Sequence, residues 1–234
     1  MKRFLLLLLF LVALVGSPAI AASSSGGEYV VLVGGPSLMQ WEKYKAAPHD
    51  HWWANFVHSA RVRTEQLRAE HGEDVKITWL VYKQGYLDRA AQEKQDLIGN
   101  IESVRDKFHL NLVWFRNGDD VINYLNNGQP RDSVKVAGFE YFGHSNKACF
   151  MFDYSSNVDS ASKSFLRDVD LTRINSRILA RNAQVKSWGC HTGERMSNYW
   201  RKATGTRMTG AIGKTDFSTG ELPALSSPGG KWVD

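Results

Sequence analysis

The chain has 234 residues, a formal net charge of +5 at pH 7 and 43% hydrophobic residues. A chain of this length can bury a sizeable core within one domain. Its basic residues form no cluster and do not alternate with aromatic ones, so the composition does not suggest nucleic acid as a partner.

Residues 1–21 have the pattern of a secretory signal peptide. A basic start is followed by an apolar run over residues 4–15 and by a small-residue cleavage motif that ends at Ala21. We therefore expect an exported protein, periplasmic or secreted, with a flexible leader over residues 22–28. The alternative is an uncleaved membrane anchor, which the short apolar run disfavours. No later segment is apolar and long enough to span a bilayer, so stable membrane insertion is not expected after cleavage.

The rest of the chain alternates short apolar runs with helical stretches. The predicted strands cover residues 29–33, 75–82, 110–115, 134–142, 185–188 and 207–212, with a short strand or hairpin arm at 148–154. The predicted helices cover residues 54–70, 90–108, 117–125, 168–181 and 194–204. Residues 38–51 and 215–234 are predicted to be loops. This alternation predicts a single α/β domain over residues 29–234, with a mostly parallel six-stranded sheet and helices on both faces.

Two of the predicted strands end on side chains that can perform chemistry. The fourth strand continues through Gly143 into His144, and the fifth continues through Gly189 into Cys190. A right-handed crossover through the helix at 168–181 would place these strands in the same sheet. Their carboxyl ends would then lie side by side, where open α/β sheets place their sites. A thiol and an imidazole at that edge are the minimum for nucleophilic cysteine catalysis.

Cys190 is expected at the start of the helix over residues 194–204. Backbone N–H groups and the positive end of the helix would favour a thiolate there and could hold an oxyanion. Gly189 and Gly193 would allow the tight backbone that this arrangement needs. Two alternatives remain open, because Cys190 could be a buried apolar strand residue or could form a disulfide with Cys149 in an exported protein.

Several neighbouring residues are given supporting roles. The residues expected to support the dyad without reacting are Ser145, His191, Thr192 and Gly193. The side chain of His191 is expected to point away from the thiol in a turn of this kind. A serine hydrolase is a weak interpretation of Ser145, because Lys147 stands where the nucleophile elbow needs a glycine.

No cofactor or metal site is expected. His49, His51 and His58 lie close in the sequence, but their spacing matches no established zinc motif. The glycines after the first strand do not form a dinucleotide fingerprint either.

The two strand-end motifs resemble those of the caspase-fold superfamily of cysteine peptidases, which includes caspases, metacaspases, gingipains and legumains. Cys190-His191-Thr192-Gly193 is similar to the Cys-His-Ser-Gly of metacaspases, and a histidine ends the preceding strand in both. The pattern of elements extends the resemblance over roughly residues 29–215. The chain departs from the family at Ser145, where the family usually has glycine, and its two site strands count fourth and fifth instead of third and fourth.

The resemblance implies a thiol protease that hydrolyses a peptide or protein substrate through an acyl-enzyme. Cys190 would be the nucleophile and His144 the general base or acid. The backbone N–H groups of Gly143 and Cys190 would lie near the oxyanion, with Gly189 as further backbone support. The alternative is a catalytically inactive caspase-fold module used for binding or scaffolding.

The family sets its specificity in a pocket beside the cysteine. An acidic residue in that pocket would select Arg or Lys side chains by charge pairing. Three acidic residues are positional candidates, and the sequence does not choose among Asp153, Glu194 and Asp216.

Overall fold

The structure is a computed structural model that describes residues 27–42, 51–154 and 163–234. The predicted signal peptide, most of the predicted leader and His49 lie outside the described residues. Within the described part of the chain, no helix is long and apolar enough to cross a membrane.

The described residues alternate strands and helices along the chain. The strands are β1 (Glu28–Val33), β2 (Lys76–Tyr82), β3 (Asn111–Phe115), β4 (Val136–Phe142), β5 (His144–Ser145), β6 (Cys149–Met151), β7 (Phe165–Arg167), β8 (Leu179–Ser187), β9 (Gly210–Ile212), β10 (Thr215–Asp216), β11 (Ala224–Leu225) and β12 (Lys231–Val233). The helices are α1 (Met39–Glu42), α2 (Asn55–His71), α3 (Lys83–Glu93), α4 (Leu97–Lys107), α5 (Gly118–Asn127) and α6 (Met196–Thr204). The predicted loops at 38–51 and 215–234 therefore contain short regular elements.

A parallel sheet with the strand order β3-β2-β1-β4-β8 forms the centre of the fold. This confirms the prediction of an α/β fold built on a mostly parallel sheet. The sheet has five strands instead of the six predicted. Residues 207–212 contribute only one parallel bridge to it, between Thr209 and Lys186. β9 pairs with β12 instead. The N–H group of Gly193 donates to the carbonyl of Ala211, so β9 packs against the turn after β8.

The sheet separates two apolar cores. Val30 and Leu32 of β1 point into the first core, and Val31 and Val33 point into the second. Helices α5 and α6 cover the first face, and α2, α3 and α4 cover the second. Helices on both faces were predicted, and this prediction is confirmed. Burial on both faces explains why β1 is a nearly continuous apolar run.

The helix predicted over residues 90–108 is two helices. α3 ends at Glu93, with Lys94 in the left-handed conformation at its end, and Asp96 caps α4 by accepting a hydrogen bond from the N–H of Gly99. α3 was not predicted as a separate helix because it lacks an apolar stripe: its buried residues are Gly85, Tyr86 and the polar Arg89.

The crossover helix predicted over residues 168–181 is also wrong. That segment forms two short 3-10 segments, Asp168–Arg173 and Ser176–Ile178, and then enters β8. Leu171 and Ile178 are buried as predicted, but Asn175 interrupts the segment and its side chain accepts a hydrogen bond from the N–H of Arg177. The crossover also contains the small antiparallel sheet β5-β6-β7, in which β6 is the predicted hairpin arm.

Candidate active site

The strand order creates a crevice at the carboxyl ends of β1 and β4. The chain leaves β1 towards β2 and β3, whereas it leaves β4 towards β8 on the opposite side. Connections that depart in opposite directions leave an opening between the two strands, and open α/β sheets bind ligands at this point. Ser37, His144 and Cys190 follow β1, β4 and β8 at this edge.

His144 and Cys190 line one cavity of about 440 Å³. The predicted pair is therefore brought to the same place in the fold. Five aromatic side chains contribute to the walls: Trp52, Trp53, Phe56, Tyr154 and Phe217. The charged lining residues are Glu42, Lys214 and Asp216.

Ser37, Tyr154 and Phe56 are among the side chains that contact the imidazole of His144. Its Nε2 lies 2.9 Å from the Oγ of Ser37, which is 2% exposed. The ring stacks on Tyr154 at a centroid distance of 4.6 Å and meets Phe56 edge-on at 4.9 Å. The hydroxyl of Tyr141 donates to the carbonyl of His144 at 2.6 Å, which fixes the backbone as well. Ring orientation is thus set by contacts on several sides.

Ser37 is a site residue that the sequence reasoning missed. It follows the Gly34-Gly35-Pro36 turn at the end of β1, a central strand of the sheet. A polar residue after a central strand was the available signal, but its contact with His144 spans 107 positions of sequence.

A buried arginine fixes the segment that carries Ser37. Arg89 of α3 is 3% exposed and donates to the carbonyls of Ser37 and His51, both at 2.7 Å. The same guanidinium pairs with Glu42 at 2.9 Å and with Glu93 at 2.5 Å. Arg89 therefore bonds to two backbone carbonyls and two carboxylates. Through Ser37 and Glu42, these contacts connect α3 to the segment that follows β1.

The thiol of Cys190 contacts Thr215. The N–H group of Thr215 donates to Sγ at 3.4 Å, and the two side-chain atoms Sγ and Oγ1 lie 3.5 Å apart. The carbonyl of Cys190 accepts a hydrogen bond from Ser145 Oγ at 2.8 Å. This bond joins the residues after β4 to those after β8, so Ser145 has a structural role and is not placed as a separate nucleophile.

The predicted helix start beside Cys190 is wrong. Residues 190–195 form turns, and α6 begins only at Met196. The turn is stabilised by its own contacts, since Thr192 is fully buried and its hydroxyl donates to the carbonyl of Gly189 at 3.2 Å. The macrodipole of α6 therefore does not start at the sulfur, and any stabilisation of a thiolate must come from nearer groups.

The glycines at the two strand ends allow close packing there. A Cβ at Gly189 would clash with Ser145 Oγ and lie 3.0 Å from the carbonyl of Gly143, and a Cβ at Gly143 would clash with the hydroxyl of Tyr141. The N–H of Gly189 donates to Ser187 Oγ at 3.3 Å. Among the described residues, the N–H groups of Gly143 and Cys190 have no acceptor within hydrogen-bonding distance.

His191 also lines the cavity. Its backbone is left-handed, with φ of 61°, and its Nδ1 lies 2.5 Å from Glu194 Oε1. The hydrogen bond from His191 lowers the pKa of the Glu194 carboxyl. The same carboxylate accepts the N–H of Gly213 at 3.3 Å. The sequence indicates only a supporting role for His191.

One of the three candidate specificity acids lines the cavity. Asp216 does so, and its carboxylate accepts bonds from the N–H and the hydroxyl of Ser218, both at 2.9 Å. Glu194 is bound to His191, and Asp153 is buried against the hydroxyl of Tyr82 at 3.1 Å. Glu42, which the sequence did not single out, lines the cavity but pairs with Arg89.

Cysteine and histidine residues elsewhere form no second site in the described part of the chain. Cys149 and Cys190 are both free thiols, and burial raises the pKa of Cys149. No group of three or more potential metal ligands occurs among the described residues. His58 instead lies 2.8 Å from the carbonyl of Gly220.

Comparison with known proteins identifies no relative, since no family model, curated protein or solved structure matches this chain.

Proposed function

We propose that this chain is an exported cysteine peptidase-like hydrolase with a caspase-like fold. The observation that carries the proposal is the common cavity of His144 and Cys190, which follow neighbouring parallel strands of one sheet. A nucleophile and a base at this edge suit acyl transfer.

Ser37 gives the imidazole a defined role in this mechanism. The proposed mechanism assigns Ser37 Oγ, which lies 2.9 Å from Nε2 of His144, the role of accepting the Nε2 proton, and it assigns Nδ1 the uptake of the proton from the thiol of Cys190. A hydrogen bond that fixes the tautomer of a catalytic histidine is a general feature of such nucleophile–base pairs. The stacking on Tyr154 and the contact with Phe56 keep the ring in this orientation.

The sulfur then attacks the carbonyl carbon of a peptide bond. In the proposed mechanism, the N–H groups of Gly143 and Cys190 donate to the developing oxyanion. In support of this step, neither N–H group has a protein acceptor among the described residues. Loss of the amine leaves a thioester on Cys190, and water hydrolyses it. The resemblance to caspase-fold peptidases implies the same sequence of steps.

The cavity favours substrates with a basic side chain next to the scissile bond. Asp216 supplies a carboxylate for charge pairing, and aromatic residues such as Trp52 and Phe217 line the same cavity. A guanidinium or ammonium group gains from both a carboxylate and an aromatic face.

Hydrolysis of a mixed peptide library tests the proposal. Cys190→Ala and His144→Ala are each expected to reduce hydrolysis by about 1,000-fold or more, because each removes a reacting group. Cys149→Ala is the matched control and should retain the wild-type rate, since Cys149 does not line the cavity. Undiminished hydrolysis by both site variants would overturn the proposal.

The contacts between Cys190 and Thr215 favour a second function, a binding or scaffolding module without turnover. In that case the sulfur has a structural role, because its contacts hold Thr215 against the turn after β8. Labelling with iodoacetamide separates the two functions, because an unreactive Cys190 in the folded protein supports the binding module and a rapidly alkylated one supports the enzyme.

A further inference from the structure

We infer that His191 is a second catalytic acid–base group, which protonates the amine leaving group while His144 acts on the thiol. This inference rests on the proposed function and adds to it a proton donor for the leaving group. Its starting point is that two histidines, His144 and His191, line the cavity that Cys190 also lines.

Glu194 orients the ring of His191. The carboxylate binds Nδ1 at 2.5 Å and is itself held by the N–H of Gly213 at 3.3 Å. An imidazole whose Nδ1–H is bound to a carboxylate exchanges protons through Nε2, and the carboxylate compensates positive charge on the ring. The pKa of the Glu194 carboxyl is lowered, first by the hydrogen bond from His191 and then by the one from the N–H of Gly213, and both favour its charged form.

The backbone of His191 supports a functional role. The described non-glycine residues with positive φ are Lys94, His109 and His191. Lys94 and His109 lie just beyond the ends of α3 and α4, where left-handed residues commonly terminate helices. His191 has no such position, and its conformation is maintained by the bond from its N–H to the carbonyl of Gly213 at 2.7 Å. Disfavoured backbone of this kind concentrates at functional sites.

The protons balance over one turnover. In acylation, the thiol proton passes to His144, the S–C bond forms, the C–N bond breaks, and the departing amine takes a proton from the imidazolium of His191. In deacylation, neutral His191 takes a proton from the attacking water, the C–S bond breaks, and His144 returns its proton to the sulfur. The products are a carboxylic acid and an amine, and both histidines regain their starting states.

Paired substrates test this role. A peptide cleaved by the wild-type protein is prepared as the amide and as a benzyl thioester with the same acyl part. A thiolate leaves without prior protonation, whereas an amine needs a proton to leave. Therefore His191→Asn should lower kcat/KM for the amide by about 100-fold and change that for the thioester by less than about threefold. Asparagine is the appropriate replacement because it tolerates the left-handed backbone.

Glu194→Gln is the matched second variant. Its amide oxygen can still accept the N–H of Gly213, but its charge is lost, so it should reproduce the selective loss of amide hydrolysis to a smaller extent. A merely structural role for His191 predicts equal losses for both substrates, and that result would overturn the inference. So would an unchanged amide rate in His191→Asn. If the wild-type protein cleaves no peptide of the mixed library, no amide substrate can be chosen, and the proposed function is overturned together with this inference.

Discussion

One short hydrogen-bonding side chain contributes to the orientation of His144. Ser37 is nearly fully buried, and its Oγ lies 2.9 Å from Nε2 of the imidazole. A buried hydroxyl in this position can hold one tautomer of the ring, and loss of it leaves the orientation to stacking on Tyr154. The serine therefore acts on the chemistry through histidine.

Ser37→Ala should lower the rate of peptide hydrolysis by roughly tenfold, the equivalent of one lost hydrogen bond. The ¹⁵N chemical shifts of the His144 ring should move, since they report the tautomer directly. Ser133→Ala is the control, because the hydroxyl of Ser133 binds the carbonyl of Pro130 away from the cavity. An unaltered ring spectrum in Ser37→Ala would contradict the role given to this serine.

Gly189→Ala should destabilise the fold by roughly 1–3 kcal/mol. The added methyl group would clash with Ser145 Oγ and press on the carbonyl of Gly143, forcing the ends of β4 and β8 apart. Ser145→Ala removes one of the clashing atoms, so the double variant should lose less stability than the sum of the two single variants. Urea unfolding of the four proteins measures the coupling, and strict additivity would argue against this contact.

At the residue scale, the sequence located the proposed catalytic pair but not its surroundings. His144 and Cys190 could be predicted because each follows a glycine at a strand end. Ser37 could not, because its relevance depends on β1 and β4 being neighbours in the sheet. The orientation of His191 was also out of reach, since it depends on one left-handed backbone angle.

Among the elements, α3 influences the site without lining it. It contributes Arg89, whose buried guanidinium binds the carbonyl of Ser37 and pairs with Glu42 and Glu93. The helix thus connects the second core to the loop that carries the partner of His144. The site depends on this packing although no atom of α3 lines the cavity.

Arg89→Met should lower the free energy of unfolding by about 3–5 kcal/mol, because it removes one partner of a buried ion-pair cluster. Arg61→Met is a suitable control, since Arg61 pairs with the half-exposed Glu65 and its loss should cost less than about 1 kcal/mol. Equal destabilisation by the two substitutions, measured by urea unfolding, would show that Arg89 has no special structural role.

Elements with a clear apolar pattern were predicted well, and elements stabilised by polar contacts were not. β1, β2, β3 and β4 are near-continuous apolar runs, and the structure has them close to their predicted bounds. α3 buries an arginine, and the crossover before β8 has a helix-like spacing of apolar residues that short 3-10 segments also satisfy. Apolar periodicity alone does not separate these cases.

For the whole molecule, one half-buried lysine makes stability depend on pH. Lys186 of β8 lies between two indole rings, with Nζ 3.4 Å from the ring centre of Trp188 and 4.3 Å from that of Trp232. Burial lowers the pKa of this amine to about 8. The folded protein therefore binds fewer protons than the unfolded chain between about pH 8 and the ordinary lysine range, and its stability rises with pH across that window.

Comparison of wild type with Lys186→Met isolates this contribution. The free energy of unfolding of the wild type, relative to that of the variant, should increase by on the order of 1 kcal/mol between pH 8 and pH 10. This value is smaller than the full pKa shift of Lys186 implies, because the amine is partly exposed and the indole rings attract its charged form. Cys149 acts in the opposite direction, since its raised pKa costs stability as the pH rises, but it is present in both proteins and cancels. A pH-independent difference would contradict the assignment.

The central claim is that His144 acts on the thiol of Cys190, and the rate of alkylation by iodoacetamide at pH 7 tests it most directly. The measurement uses Cys149→Ala as the background, so that Cys190 is the single thiol. With His144 present, Cys190 should react at least about tenfold faster than in the His144→Ala variant, and the two rates should converge above about pH 8.5, where an ordinary thiol ionises unaided. Equal rates at pH 7 would show that the imidazole and the thiol share a cavity without acting on one another.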